Sequence, residues 1–297
     1  MGLPYKCHIL KNNSLLIRNK KLSELDRLFD SKFSFNKKFG QNFIFDGNLL
    51  RAIVADTKID KDFTVLEIGT GAGTLTKEIA TVAKKVITLE VDKNLKDYLN
   101  QTFSEFSNIE LIFQDVMKVD LKELESKLGG KYVIVANLPY YITTPVIFKF
   151  IEGATNLQAM YVMVQLEVAN RICAKPGTVD YGSITPIIDR IANAYIIRRV
   201  NRKMFVPSPK VDSAVVGIVF DENKYKIANK QLFSKVIKSV FAMRRKTLEN
   251  NLKSTFAFTA QQIDEIFKAC ELEKGIRGEK LTTEQFVKLT NIIASMI

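Results

Sequence analysis

Between residues 63 and 164 short apolar runs recur at intervals, at 63–68, 86–90, 109–113, 131–136 and 159–164, with amphipathic stretches between them. The runs are strand-sized and lack the polar alternation of a half-exposed strand. This predicts strands buried on both faces of a parallel sheet, with helices packed over it. The pattern predicts one helix ahead of this region, at 48–57, and another at 165–174. Residues 194–200 and 211–220 read as two further strands, which brings the sheet to seven. After a polar, lysine-rich break at 221–229 the period becomes helical to the end. Residues 231–252 read as one long amphipathic helix. Two more follow at about 260–270 and 283–296, opened by the capping-box pairs Thr259/Gln262 and Thr282/Gln285. A short helix is expected at 21–29, and the first twenty residues show no period. The expected organisation is an N-terminal extension at 1–30, an α/β domain at 31–222 and a small all-helical domain at 223–297.

The strand ends carry the candidate chemistry. The first strand runs into Val65-Leu-Glu-Ile-Gly-Thr-Gly-Ala-Gly73, and a helix opens at Thr74. A strand, a glycine turn and a helix bring backbone close to a ligand. The dinucleotide fingerprint G-x-G-x-x-G wants its third glycine where Thr74 stands, so the spacing Glu-x-Gly-x-Gly-x-Gly resembles instead the first motif of S-adenosylmethionine-dependent methyltransferases. Glu90 closes the second strand, where a carboxylate can accept from ribose hydroxyls. Gln114-Asp115 follow the third strand and Asn137-Leu-Pro-Tyr140 the fourth. Ligands of open parallel sheets sit at the carboxyl ends of the strands, so four polar strand ends on one edge argue for a single site.

Asn137-Leu-Pro-Tyr140 suits attack by a nucleobase amine. Such an amine is a poor nucleophile because its lone pair is delocalised into the ring. Acceptors on both of its N–H groups, the Asn137 side-chain oxygen and the Leu138 carbonyl, would favour a pyramidal nitrogen, while Tyr140 offers a stacking face. Phe205 is either a second stacking ring for an extruded base or a residue packed beneath Pro207 and Pro209. Residues 34–46 mix bases, amides and aromatics and read either as a loop packed on the core or as a lid.

Composition narrows the classes. Of 297 residues 46% are hydrophobic, which is ample for a core, and no apolar run reaches the length of a membrane span. Cys7, Cys173 and Cys270 are far apart and no C-x-x-C occurs, so neither a metal site nor a disulfide framework is indicated; a reducing cytoplasm is expected. His8 is the only histidine, which argues against histidine-based catalysis. The net charge is +12, and the excess sits outside the glycine motif: nine basic residues against three acids in residues 1–40, fourteen against seven in 223–297. That clustering points to nucleic acid.

Six segments together resemble the small-subunit ribosomal RNA adenine N6,N6-dimethyltransferase family. They are Lys38-Phe-Gly-Gln-Asn-Phe43, Glu67-Ile-Gly-Thr-Gly-Ala-Gly73, Gln114-Asp115-Val, Asn137-Leu-Pro-Tyr-Tyr141, Phe205-Val-Pro-Ser-Pro-Lys-Val-Asp-Ser213, and Phe241-Ala-Met-Arg-Arg-Lys-Thr-Leu-Glu-Asn-Asn-Leu252. The resemblance covers the chain from about residue 21 to its end. It implies a Rossmann-like class I methyltransferase domain with a seven-stranded, mostly parallel sheet, S-adenosyl-L-methionine as cofactor, and dimethylation of two neighbouring adenosines near the 3' end of 16S-type RNA. By the same resemblance Asn42, Ile44, Gly69, Gly71, Glu90, Asp115 and Asn137 would hold the cofactor, with Asp115 accepting from its adenine amine. Asn137, Leu138, Tyr140 and Phe205 would hold the target base. Arg244, Arg245 and Lys246, at the start of the long helix of the second domain, either contact RNA or form a solvated face. The implied partner is small-subunit RNA, within a partly assembled subunit, with the protein acting as a monomer. Two rivals remain: a large-subunit adenine methyltransferase of the antibiotic-resistance type, and a non-catalytic assembly factor of the same fold.

Overall fold

The computed structural model describes residues 41–221 and 223–297. The N-terminal extension, the helix expected at 21–29, Cys7, His8 and Lys38-Phe-Gly40 lie outside the described residues. The described chain opens with β1 (Phe43–Ile44) and α1 (Gly47–Asp56). The Asp46 carboxylate caps α1 by accepting from the N–H groups of Asn48 and Leu49. There follow β2 (Thr64–Ile68), α2 (Thr74–Val82), β3 (Lys85–Glu90), α3 (Lys96–Thr102), β4 (Ile109–Phe113), α4 (Leu121–Leu128), β5 (Tyr132–Asn137), α5 (Thr143–Gly153), β6 (Leu157–Gln165) and α6 (Leu166–Ile172). The sheet is completed by β7 (Ala192–Val200), which follows the short α7 (Ile184–Asp189), and by β9 (Ser213–Phe220); β8 (Phe205–Val206) pairs only with β1.

The seven long strands form one sheet in the order β4-β3-β2-β5-β6-β9-β7. Only β9 runs against the others, pairing antiparallel with both β6 and β7. The order reverses between β2 and β5, whose register sets Leu66 opposite Ile134. The apolar runs mean what their pattern predicts, two buried faces. Leu66, Ile87, Leu89 and Ile134 pack under α4, α5 and α6, while Val65, Val86, Val133 and Val135 pack under α1 and α2. Side chains alternate across a strand, so neighbouring residues serve opposite layers. Fully burying each such side chain stabilises the fold by about 1.5–3 kcal/mol.

The C-terminal residues form α8 (Lys230–Ala242), α9 (Leu248–Phe256), α10 (Ala260–Cys270) and α11 (Thr283–Met296), with both expected capping boxes present. The single helix expected over 231–252 is two helices. No glycine or proline marks the break. Instead the buried Asn251 side chain donates to the carbonyls of Val240 and Met243, satisfying the end of α8, and Thr247 caps α9 by accepting from the Asn250 N–H. This helical cluster has its own core, into which Tyr181 and Ile187 insert from the preceding region; the Tyr181 hydroxyl donates to the Leu281 carbonyl at 2.7 Å. No helix among the described residues is long and apolar enough to cross a membrane.

Candidate active site

At the point where the strand order reverses, a cleft of about 370 Å³ opens at the carboxyl ends of β2, β3, β4 and β5. Gly69, Gly71, Glu90, Asp115 and Asn137, all picked out from strand ends, line it together with Asn42, Ile44, Leu138 and Tyr140.

The glycine turn is built by crowding. Gly69, Gly71 and Gly73 all have positive φ. A Cβ on Gly71 would lie 2.8 Å from the Phe43 ring, and one on Gly73 would lie 2.7 Å from Phe103. The turn is therefore glycine-rich as much to admit its aromatic packing as to approach a ligand. The Thr74 hydroxyl donates to the Ile44 carbonyl at 2.8 Å, tying the N-terminus of α2 to β1.

Glu90 is nearly fully buried, and its carboxylate is held by backbone. Its Oε2 accepts from Gly71 N–H at 2.9 Å, and its Oε1 from Val91 and Asp92 N–H at 2.8 Å each. Burial pushes its carboxyl above the usual range, against these three hydrogen bonds. A carboxylate offers about four acceptor positions, so roughly one is left for a ligand. Asp115 holds the Met117 N–H with Oδ1 at 2.9 Å, a local turn that aims the residue into the cleft. The Asn137 side-chain amide donates to the Asn42 carbonyl at 3.0 Å. Its oxygen carries no hydrogen bond among the described residues, and neither does the Leu138 carbonyl. The Tyr140 hydroxyl is paired with Ser213 Oγ at 2.7 Å.

Of the two readings of Phe205, the structure has the ring packed rather than at the cleft. It does not line the cleft, is 2% exposed, and packs with Ile44, Val135 and Val215 on the α1–α2 side of the sheet. In the β1–β8 ladder it stands opposite Ile44, a member of the same core cluster. The exposed ring at the cleft is Tyr141, 57% exposed. Its phenol is pushed up by burial and, beyond that, by the Asp115 and Glu90 carboxylates. Arg244, Arg245 and Lys246 lie in the turn between α8 and α9 rather than at the start of a helix. All three are exposed; Arg244 donates to the carbonyls of Val179 and Tyr181 and pairs with Glu279 at 3.5 Å, whereas the Arg245 and Lys246 side chains make no such bond among the described residues.

Sequence reasoning missed a polar relay beneath the turn. Glu67, 1% exposed, accepts from Thr76 Oγ1 at 2.6 Å and Thr88 Oγ1 at 2.7 Å, and Thr88 pairs with Thr70 Oγ1 at 2.6 Å. The signal was present: a carboxylate in an otherwise apolar central strand. Burial raises its carboxyl to about 8. The Gln41 side chain, which lines the cleft, donates to Asp92 Oδ2 at 3.1 Å.

Among the described residues, the Glu90 and Asp115 carboxyl groups line the cleft, the Glu67 carboxyl lies buried beneath them and is held protonated near neutral pH, and no lysine, arginine or histidine lines it. In a chain of net charge +12 that is a strong local inversion, suited to a cationic ligand and unsuited to a pyrophosphate. A family model described as ribosomal RNA adenine dimethylase matches residues 32–295. The chain belongs to that family. Among members of the ribosomal RNA adenine dimethylase family, the ribosomal RNA small subunit methyltransferase A of Clostridioides difficile is 42% identical over 268 residues, covering 89% of this chain and 93% of that one. The protein of the same name from a Geobacillus species is 39% identical, covering 89% and 94%. A crystal structure of a dimethyladenosine transferase from Plasmodium falciparum superposes with a TM-score of 0.67 at 26% identity, covering 82% of this chain and 94% of that one. The 23S rRNA methyltransferase ErmE shares the fold, with a TM-score of 0.67 at 23% identity and coverage of 85% and 100%.

Proposed function

We infer that the protein transfers methyl groups from S-adenosyl-L-methionine to N6 of two adjacent adenosines near the 3' end of small-subunit ribosomal RNA, giving N6,N6-dimethyladenosine, and so acts in small-subunit biogenesis. The observation that carries this reading is the acid-lined cleft, free of basic side chains among the described residues, that ends on Asn137 and Tyr140. S-adenosylmethionine is cationic and, when bound, supplies a methyl group activated on a sulfonium. The residues present fit it. Glu90 would accept from the ribose and Asp115 from the adenine amine, with Asn42, Ile44, Gly69 and Gly71 closing around them.

The target adenine would stack on Tyr140, whose ring is fixed by the Ser213 hydrogen bond. Asn137 is already oriented, because its amide nitrogen is committed to the Asn42 carbonyl. Its oxygen and the Leu138 carbonyl would accept from the two N–H groups of the target amine and turn the lone pair toward the methyl group. Displacement in line then needs positioning more than acid–base help, and the proton leaves to water. A site without histidine suits this chemistry. The identity to small-subunit enzymes favours that substrate over large-subunit RNA, and the oriented Asn137 favours an enzyme over a non-catalytic assembly factor.

The test is transfer of labelled methyl from S-adenosylmethionine to unmodified small-subunit particles and, in parallel, to large-subunit RNA, with digestion to nucleosides. Dimethyladenosine in the small-subunit sample alone is expected. Label only in the large-subunit RNA, or none in either, would overturn the reading.

A further inference from the structure

A second concavity, of about 550 Å³, lies among residues 166–170 and 201–212 and differs in charge, with three basic side chains against two carboxylates. Arg202, Lys203 and Lys210 line it, with Asn170, Asn201, Glu167 and Asp212. One backbone step links it to the active site: Asp212 lines the groove, and the next residue, Ser213, is hydrogen-bonded to the Tyr140 hydroxyl.

The groove is pre-shaped. Asp212 Oδ1 accepts from the Arg202 N–H at 2.9 Å, and the Asp212 carbonyl accepts from the Leu166 N–H at 2.9 Å. Arg202 Nη1 donates to the Lys210 carbonyl, and Ser208 Oγ to the Arg202 carbonyl, both at 2.9 Å. Asn201 caps the turn by accepting from the Lys203 N–H at 2.9 Å. These bonds sew the two sides of the 201–212 loop together and leave its cationic ends outward. Among the described residues, no carboxylate lies within ion-pair distance of Lys203 or Lys210, and both are exposed. Two exposed lysines lining one groove, on a loop tied by these bonds and without ion-pair partners among the described residues, favour a polyanion.

We propose that this groove binds the backbone phosphates that flank the target adenosine, so that Lys203 and Lys210, with Arg202, hold the RNA strand while one base enters the cleft. The proposal rests on the methyl-transfer reading given above. Bases and phosphates separate in space when a nucleotide is extruded, and the two concavities sort the same way. The one that would take an uncharged base and a cationic cofactor carries no basic side chain among the described residues. Its neighbour carries three, against two carboxylates.

The experiment uses the full chain and an unmodified small-subunit RNA fragment containing the 3' end. RNA affinity is measured against salt for wild type, for Lys203→Gln/Lys210→Gln, and for Lys84→Gln/Lys131→Gln. The last removes the same charge from the opposite, N-terminal edge of the sheet. The groove variant is expected to flatten the slope of log affinity against log salt by about one to two units, to raise KM for RNA, and to leave S-adenosylmethionine affinity and the set of methylated adenosines unchanged. An unchanged slope overturns the proposal, and so does an equal flattening in the opposite-edge variant. Wild-type protein that binds RNA but makes no dimethyladenosine would instead overturn the methyl-transfer reading, and the slope still reports on the groove.

Discussion

At the scale of single residues the site depends on side chains that are committed before any ligand arrives. The Asn137 amide is held by Asn42, which selects the one orientation that presents its oxygen. Asn137→Ala is expected to lower kcat by about a hundredfold or more, in the range seen when one pre-aimed hydrogen-bonding group is removed, with both substrates still bound. Single-turnover methyl transfer beside equilibrium binding checks this, and unaltered turnover would remove the role. Glu67 makes a different prediction. Its carboxyl stands at about 8 in the folded protein because of burial, against about 4.3 in an unfolded chain. The folded state therefore holds the extra proton between those values, and stability falls as pH rises through that window, by up to about 1.4 kcal/mol per pH unit. Glu67→Gln cannot ionise and should lose this decline. Its denaturant midpoint is expected to gain on wild type between about pH 5.5 and 8, and parallel profiles would count against the buried acid.

At the scale of elements, what the chain does locally follows from its period, and where elements stop follows from groups far away in sequence. Capping boxes at Thr259 and Thr282 act within one turn, so they were readable. The end of α8 was not, because its last carbonyls are satisfied by Asn251, eleven residues beyond Val240. Asn251→Ala should strip those partners and cost about 1–3 kcal/mol, read as a lower melting temperature. The loss is expected toward the smaller end, since Asn251 Oδ1 is itself buried without a partner. Phe205 teaches the same lesson in a strand. Its motif is local, yet its ring packs in one core cluster with Ile44, 161 positions earlier.

At the scale of the whole molecule the three basic residues after α8 divide by task. Arg244 bridges the helical cluster to the 175–182 segment, while Arg245 and Lys246 face solvent. Arg244→Gln is expected to lose about 0.5–1 kcal/mol of stability, because its hydrogen bonds are partly solvent-screened. Arg245→Gln should leave the melting temperature unchanged and weaken RNA binding. Thermal melts and RNA titrations on the two variants separate these outcomes, and a matching loss of stability in both would refute the division.

The sequence alone determined the layer architecture and which glycines and carboxylates stand at the strand ends. Both depend on local physics, apolar runs that need two buried faces and the turns that close them. Only the tertiary structure decided the charge environment of the cleft, the buried relay through Glu67, Thr88 and Thr70, the inward turn of Phe205 and the basic groove beside Tyr140. These are properties of neighbours rather than of segments. Burial, desolvation and the pairing of distant strands exist only once the chain has closed on itself.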